Sequence, residues 1–499
     1  SVAGMEQRAD VEKLKLKFPG DAEVLFRDLS FSVAEGEKVL LLGPSGCGKS
    51  TLLQVLSGLI PQSIEVPMKA EKLVTPASWG YVFQDPDSQF CMPYVDEELA
   101  FVLENLAVPR EEMAAKIDFA LRQVGLELAD SHIPIASLSG GMKQRLAIAS
   151  VLALDPEVLF LDEPSAMLDP EGTEAIWEVL QDVCKDKTVI IVEHKIDHVL
   201  EFAERLVLFD SSGRIIADGP NEEIFLEYKE EMKEQGIWFP RVWDRHLAET
   251  PLQREQKSFR LQSPLMELRD FKGLRNGEIK IQGAGLAAYP GEWIIIRGQN
   301  GAGKSTFLHA VMQFIKTSGH YELEGKPIRK LKKLAERVAF VFQNPEYQFV
   351  ANTVYEEMAY SLRLDGKGNS EIEKLVEEYL ELFQLSGQRE KNPFQLSMGQ
   401  KRRLSVAATI IQGQRLILLD EPTFGLDSKN TFALLEFLES YRKKGAVILM
   451  VTHDETLSRN YGTTFWTVAD GEIRDTTESA TDMRTAFSAE LQLEGGMCG

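Results

Sequence analysis

Five short strings occur twice in this chain, in the same order, and that duplication constrains the fold more than any other feature. GPSGCGKST at 43–51 is matched by GQNGAGKST at 298–306, and VFQDPDSQF at 82–90 by VFQNPEYQF at 341–349. LSGGMKQRL from Leu138 is matched by LSMGQKRRL from Leu396, LFLDEP from Leu159 by ILLDEP from Ile417, and IVEH from Ile191 by MVTH from Met450. The offsets stay between 255 residues, for Lys49 to Lys304, and 259, for His194 to His453. Two copies of one plan, differing by insertions of a few residues, make up the chain.

A length of 499 residues suits a multidomain protein, and 44% hydrophobic with 26% charged residues is the composition of ordinary globular domains. No run of 18 apolar residues occurs, and the start carries acids with no apolar stretch, so neither a membrane span nor a secretion signal is expected and the chain is read as cytoplasmic. The four residues ahead of Met5 are assigned no function. A net charge of −22 disfavours the phosphate backbone of nucleic acid as a main partner. Cys47, Cys91, Cys184 and Cys498 form no CxxC pair or metal-ligand spacing and are read as thiols.

Each half reads as α/β. The apolar runs KVLLL, VLFL and VIIV, then WIIIR, LILL and VILMV, suit parallel strands buried on both faces. After each LS string, Leu146, Ala149, Ser150 and Ala153, or Leu404, Ala407, Ala408 and Ile411, fall on one face of a helix. Charged helical stretches, EEMAAKIDFALRQVGL and EIEKLVEEYLELFQL, fill the interval between the FQ and LS strings as a separate lobe. The domains are placed at 5–220 and 264–475, with a joint at 221–263 that opens on an acid-rich amphipathic helix, EEIFLEYKEEMKEQG, and a tail at 476–499 without assigned function.

GxxxxGK[ST] between a strand and a helix is the phosphate-binding loop, whose backbone N–H groups point at phosphates. Gly43, Pro44, Ser45, Gly46, Cys47, Gly48, Lys49, Ser50 and Thr51 form one copy, and Gly298, Gln299, Asn300, Gly301, Ala302, Gly303, Lys304, Ser305 and Thr306 the other. The glycines allow close backbone approach, Lys49 and Lys304 reach the β- and γ-phosphates, and the Ser50 and Ser305 hydroxyls suit Mg²⁺. Asp162 and Asp420 end buried strands beside that metal. Glu163 and Glu421, one residue further on, are candidate general bases for an attacking water. Gln84 and Gln343 offer an amide oxygen to metal or water, and His194 and His453 a hydrogen bond to the γ-phosphate. Ser139 and Ser397 read as N-caps, and Gly140, Gly141 and Gly399 leave helix N–H groups open to an anion.

Phosphate loop, glutamine string, LSGG string, LDEP and histidine in this order resemble the ATP-binding-cassette ATPases, over nearly all of both halves. The resemblance implies two tandem P-loop NTPase domains, each a mainly parallel sheet with an antiparallel β subdomain and a helical subdomain. It also implies that the halves pair within one chain, so that one ATP lies between Lys49 and Ser397 and the other between Lys304 and Ser139. The family's aromatic adenine platform would fall on Phe18 and Phe271. FQDPDSQF and FQNPEYQF, followed by YVDEELAFVLEN and TVYEEMAYSLR, resemble the ATPases of energy-coupling-factor importers. That implies a transmembrane partner and a small substrate-capturing membrane subunit, uptake of a vitamin, a precursor or a metal ion, and a peripheral place on the inner membrane face. Tyr347, Phe349 and Phe90 would border the partner.

The copies differ. Met398 replaces a glycine of the LSGG string, so weaker turnover is expected where Ser397 serves, and Met142 replaces the usual glutamine in the first half. The first half reads SAMLD and VEHK where the second reads TFGLD and VTHD, so unequal sites are expected, with both binding MgATP and at least the Lys304 site hydrolysing it. Two rivals are a soluble tandem ATPase acting on ribosomes or DNA, which the acidic joint disfavours, and an ATP-gated scaffold, which the two Asp-Glu pairs disfavour.

Overall fold

A computed structural model describes residues 6–44, 46–238, 242–250 and 259–477, with Met398 described in its backbone alone. Met5, Ser45, Cys498 and most of the tail therefore lie outside the described residues. The chain clusters into two compact units, Ser1–Val242 with Asp427–Lys429, and Trp243–Leu426 with Asn430–Gly499.

In the first unit a six-stranded sheet runs in the order Ile215–Pro220, Arg205–Phe209, Lys38–Leu42, Thr188–Val192, Val158–Asp162, Trp79–Val82. All its pairings are parallel except the Ile215–Pro220 hairpin. Val158–Asp162 and Thr188–Val192 are buried at every position, which is why they read as unbroken apolar runs rather than alternating ones. Parallel strands share one carboxyl edge. The phosphate loop, Gln84, the Asp162–Glu163 pair and His194 each follow such a strand, so four strings far apart in sequence meet there.

The second unit repeats the order: Glu472–Asp475, Thr464–Ala469, Trp293–Arg297, Val447–Val451, Leu416–Asp420, Val338–Val341. Here a parallel pairing of Gln282 with Glu472 joins the antiparallel strands Met266–Arg275 and Glu278–Ala288 to the core, giving one ten-stranded sheet. In the first unit Gln7–Leu16 and Phe26–Ala34 belong to a separate four-stranded sheet.

Helices Val95–Asn105 and Arg110–Gln123, and their counterparts Val354–Leu364 and Asn369–Leu382, build the expected lobes. Their apolar sides close on the helices Gly140–Leu154 and Met398–Ile410, where Leu146, Ala149, Leu404 and Ala407 are fully buried. The joint departs from expectation. Its acid-rich segment is two short helices, Asn221–Glu227 and Lys229–Glu234, broken at Tyr228, whose φ of −109° and ψ of 27° leave the helical region. The helix Val242–Glu249 packs on the second unit through His246, which stacks on Phe432 at 3.8 Å and shares a 3.0 Å hydrogen bond with the Tyr461 hydroxyl.

Candidate functional site

Each phosphate loop ends on a glycine in the left-handed region. Gly48 (φ 99°) and Gly303 (φ 114°) occupy the N-cap positions of Lys49–Ser57 and Lys304–Val311. A Cβ on Gly48 would also sit 2.7 Å from the Phe26 ring, so the position needs glycine on two counts. Lys49 is buried and its Nζ donates to the Gly43 carbonyl at 2.5 Å and the Pro44 carbonyl at 3.1 Å, while Lys304 donates to the Gly298 and Gln299 carbonyls. Both ammonium groups are thus held inside the loop, as a nest of backbone N–H groups suited to an anion requires.

In the first half Ser50 Oγ donates to Asp162 Oδ1 (3.0 Å) and the Tyr81 hydroxyl to Asp162 Oδ2 (3.3 Å). Burial, then the charge of Glu163, pushes the Asp162 carboxyl up to about 7 against those donors. Glu163 stands between two partners: His194 Nε2 lies 2.7 Å from its Oε1, and Gln84 Nε2 donates to its Oε2 at 2.8 Å. Burial acts to raise Glu163, but the His194 pair and then the Lys49 charge outweigh it and hold the carboxyl below its ordinary range. Burial likewise acts to lower His194, and the same pair overcomes it and raises the imidazole.

The second half repeats the pair, with His453 Nε2 3.1 Å from Glu421 Oε1. Asp420 is pushed up, first by burial, against a hydrogen bond from Ser305. Its Oδ1 is buried without a hydrogen-bond partner among the described residues. An orphaned carboxylate oxygen beside a serine hydroxyl suits a hard divalent cation, which takes one or two carboxylates and completes its shell with phosphate and water. Ser305 and Asp420 therefore fit Mg²⁺, and Ser50 and Asp162 present the same pair of side chains, with Gln343 and Gln84 able to add an amide oxygen.

Glu163 and Glu421 share a further feature that the sequence does not display. Their φ values are 49° and 48°, an unusual backbone state for a side-chain-bearing residue, and each N–H is held by a strand carbonyl, Val192 O at 2.8 Å and Val451 O at 2.9 Å.

Ser139 Oγ accepts from Met142 N at 3.3 Å, and Ser397 forms a reciprocal capping box with Gln400. Met142 cannot return that bond, which gives this departure from the usual glutamine a physical consequence. Phe18 is half-buried and available at the surface. Phe271 is not: it is 1% exposed and packs edge-on to Phe307 and Tyr321, so it cannot serve as an adenine platform. Lys13 (φ 50°) and Asp270 (φ 46°) each close a pair of exposed residues ahead of a buried one in the corresponding strands, so Phe271 matches the buried Leu14 and not Phe18. Phe349 is likewise core, against Phe394, while Tyr347 is 78% exposed.

Three groups escaped the sequence reading. Glu193, fully buried, accepts from Ser165 Oγ at 2.9 Å, and burial followed by Glu163 pushes it up to about 8. Glu98 Oε2 accepts from the N–H groups of Cys91 and Met92, and Glu357 Oε2 from those of Val350 and Ala351, pinning the loop after each FQ string. The recurrent acid pair in DEELA and YEEMA was the available signal.

Fold and geometry define a P-loop nucleoside triphosphatase with its machinery present twice. The family model for the ABC transporter matches residues 26–166 and 281–424, one span in each half, and the chain belongs to that family as an ATP-hydrolysing, ATP-binding ABC ATPase. It is 36% identical to "Putative HMP/thiamine import ATP-binding protein YkoD" of Bacillus subtilis (strain 168), over 90% of this chain and 88% of that one. A "Putative ABC transporter ATP-binding protein" of Methanosarcina acetivorans is 32% identical over 93% of this chain and 84% of its own length. The solved structure titled "RNase-L Inhibitor" shares the tandem fold at 20% identity, with a TM-score of 0.61, over 93% of this chain and 90% of that one. No helix among the described residues is long and apolar enough to cross a membrane.

Proposed function

We propose that this chain is the ATP-hydrolysing subunit of a membrane importer of the energy-coupling-factor kind, acting on a separate transmembrane partner and a substrate-capturing membrane subunit at the inner membrane face. The observation that carries hydrolysis is the Glu–His pair at each strand edge, 2.7 Å in one half and 3.1 Å in the other. A site that only bound ATP would not need a buried carboxylate paired with a histidine beside the phosphate loop. Import is supported by the likeness to the thiamine-import relative over 90% of this chain.

In this reading the loop N–H groups and Lys49 or Lys304 hold the β- and γ-phosphates. Glu163 or Glu421 orients the attacking water and takes its proton, while His194 or His453 fixes the carboxylate. Mg²⁺, when bound at Ser50–Asp162 and Ser305–Asp420, neutralises phosphate charge. Each ATP is completed by the LSxG helix of the other half, Ser397 serving Lys49 and Ser139 serving Lys304. Removing Mg²⁺ with a chelator is expected to abolish turnover.

The partner is tested by purifying the protein from a detergent extract of its native membranes and identifying what accompanies it by mass spectrometry. Recovery with a polytopic membrane protein and a small membrane subunit is the expected result. Recovery with ribosomes or DNA in their place would establish the soluble-ATPase alternative.

A further inference from the structure

The strings LSGGMKQRL and LSMGQKRRL part at one buried position, where the first half has Gln144 and the second Arg402, 0% and 4% exposed. The two side chains hold different segments. Gln144 Nε2 donates to the Glu163 carbonyl (3.1 Å) and its Oε1 accepts from Met167 N (2.7 Å), tying its helix to the loop after the general base. Arg402 reaches the other way: Nη1 donates to the Phe342 carbonyl (2.6 Å) and Nη2 to the Gln343 carbonyl, so one planar fork grips the backbone of the glutamine string. A cation buried this deeply is costly unless opposite charge lies near. Burial pushes the guanidinium down to about 10, and Asp420 and Glu421 are the charges that act against this.

We propose that Arg402 is a positioning residue for hydrolysis in the second half, holding the Gln343 backbone in place against the Asp420–Glu421 pair and setting a fixed positive charge beside it, where the first half has the neutral Gln144. The proposal deepens the hydrolysis reading and rests on Glu421 as general base. Gln343 offers its amide to metal or water, and a displacement of about 1 Å at such a group can cost on the order of a hundredfold in rate.

The test uses the full chain in the Glu163→Gln background, which confines turnover to Glu421. Adding Arg402→Gln is expected to lower kcat about tenfold while KM for ATP stays within about twofold and Tm within about 3 °C. Arg402→Lys, which keeps the charge and loses the fork, is expected to sit about threefold below the Glu163→Gln protein. In the Glu421→Gln background Arg402→Gln is expected to leave residual turnover unchanged.

An unchanged kcat, a KM rise that accounts for the whole loss, a lysine no better than glutamine, or an equal loss in the Glu421→Gln background would each overturn the proposal. Should Arg402→Gln fail to fold, Arg402→Lys decides alone: a lowered kcat at constant KM supports the role, and an unchanged kcat removes it. Loss of all turnover in Glu163→Gln by itself overturns the reading of Glu421 as base, and this proposal with it.

Discussion

Glu193 shows how one buried residue contributes to the pH response of the first half. An unfolded glutamate releases its proton near pH 4.3, whereas the folded side chain holds it up to about 8. Through that window the native state binds more protons than the unfolded one, so the stability tied to Glu193 is full at low pH and falls as pH rises towards 8. Glu193→Gln, neutral throughout and still able to accept from Ser165, is therefore expected to come closest to the parent in Tm at about pH 4. At pH 8.5 it should exceed it by several degrees, on the order of 4 °C; thermal melts across that range measure it. Thr452 replaces this carboxyl in the second half, so the contribution of this position is absent there. At Gly48 the left-handed backbone acts together with the Phe26 ring, which would lie 2.7 Å from an added methyl, and Gly48→Ala is expected to remove ATP binding at that loop, read by nucleotide titration.

At the scale of elements the two LSxG helices should differ in what their caps contribute. Ser397→Ala removes half of a reciprocal box and is expected to destabilise by about 1 kcal/mol, and Ser139→Ala, whose Met142 returns no bond, by less, as urea denaturation will show. The central strands were legible in the sequence because burial on both faces leaves unbroken apolar runs such as Leu416 to Leu419. Gln7–Leu16 was not, because the bulge at Lys13 puts two exposed residues in succession and breaks the period of two. A left-handed residue at the matching place, Asp270, precedes the inward-turned Phe271 and defeats a count of residues from the phosphate-loop lysine. Tyr228 breaks a helix whose polar and apolar pattern runs on across it, which composition could not reveal. That the loop, Asp–Glu and histidine strings gather at one strand edge was legible, since strings of fixed order carry them. The strained φ of Glu163 and Glu421 was not, because it is set by strand carbonyls far away in sequence.

For the molecule as a whole, a net charge of −22 leaves the importer reading dependent on a protein partner rather than on nucleic acid. The duplicated sheets supply two complete sets of lysine, aspartate, glutamate and histidine, and the differences between them fall around those sets. Gln144 faces Arg402, Glu193 faces Thr452, and Gly140 faces Met398. Unequal turnover at the two sites is expected from these differences. The most direct measurement is steady-state ATP hydrolysis by the full chain carrying Glu163→Gln or Glu421→Gln, each with MgATP at saturation. Substantial turnover in Glu163→Gln and a severe loss in Glu421→Gln is the predicted result. Turnover that survives Glu421→Gln but disappears in Glu163→Gln would contradict it.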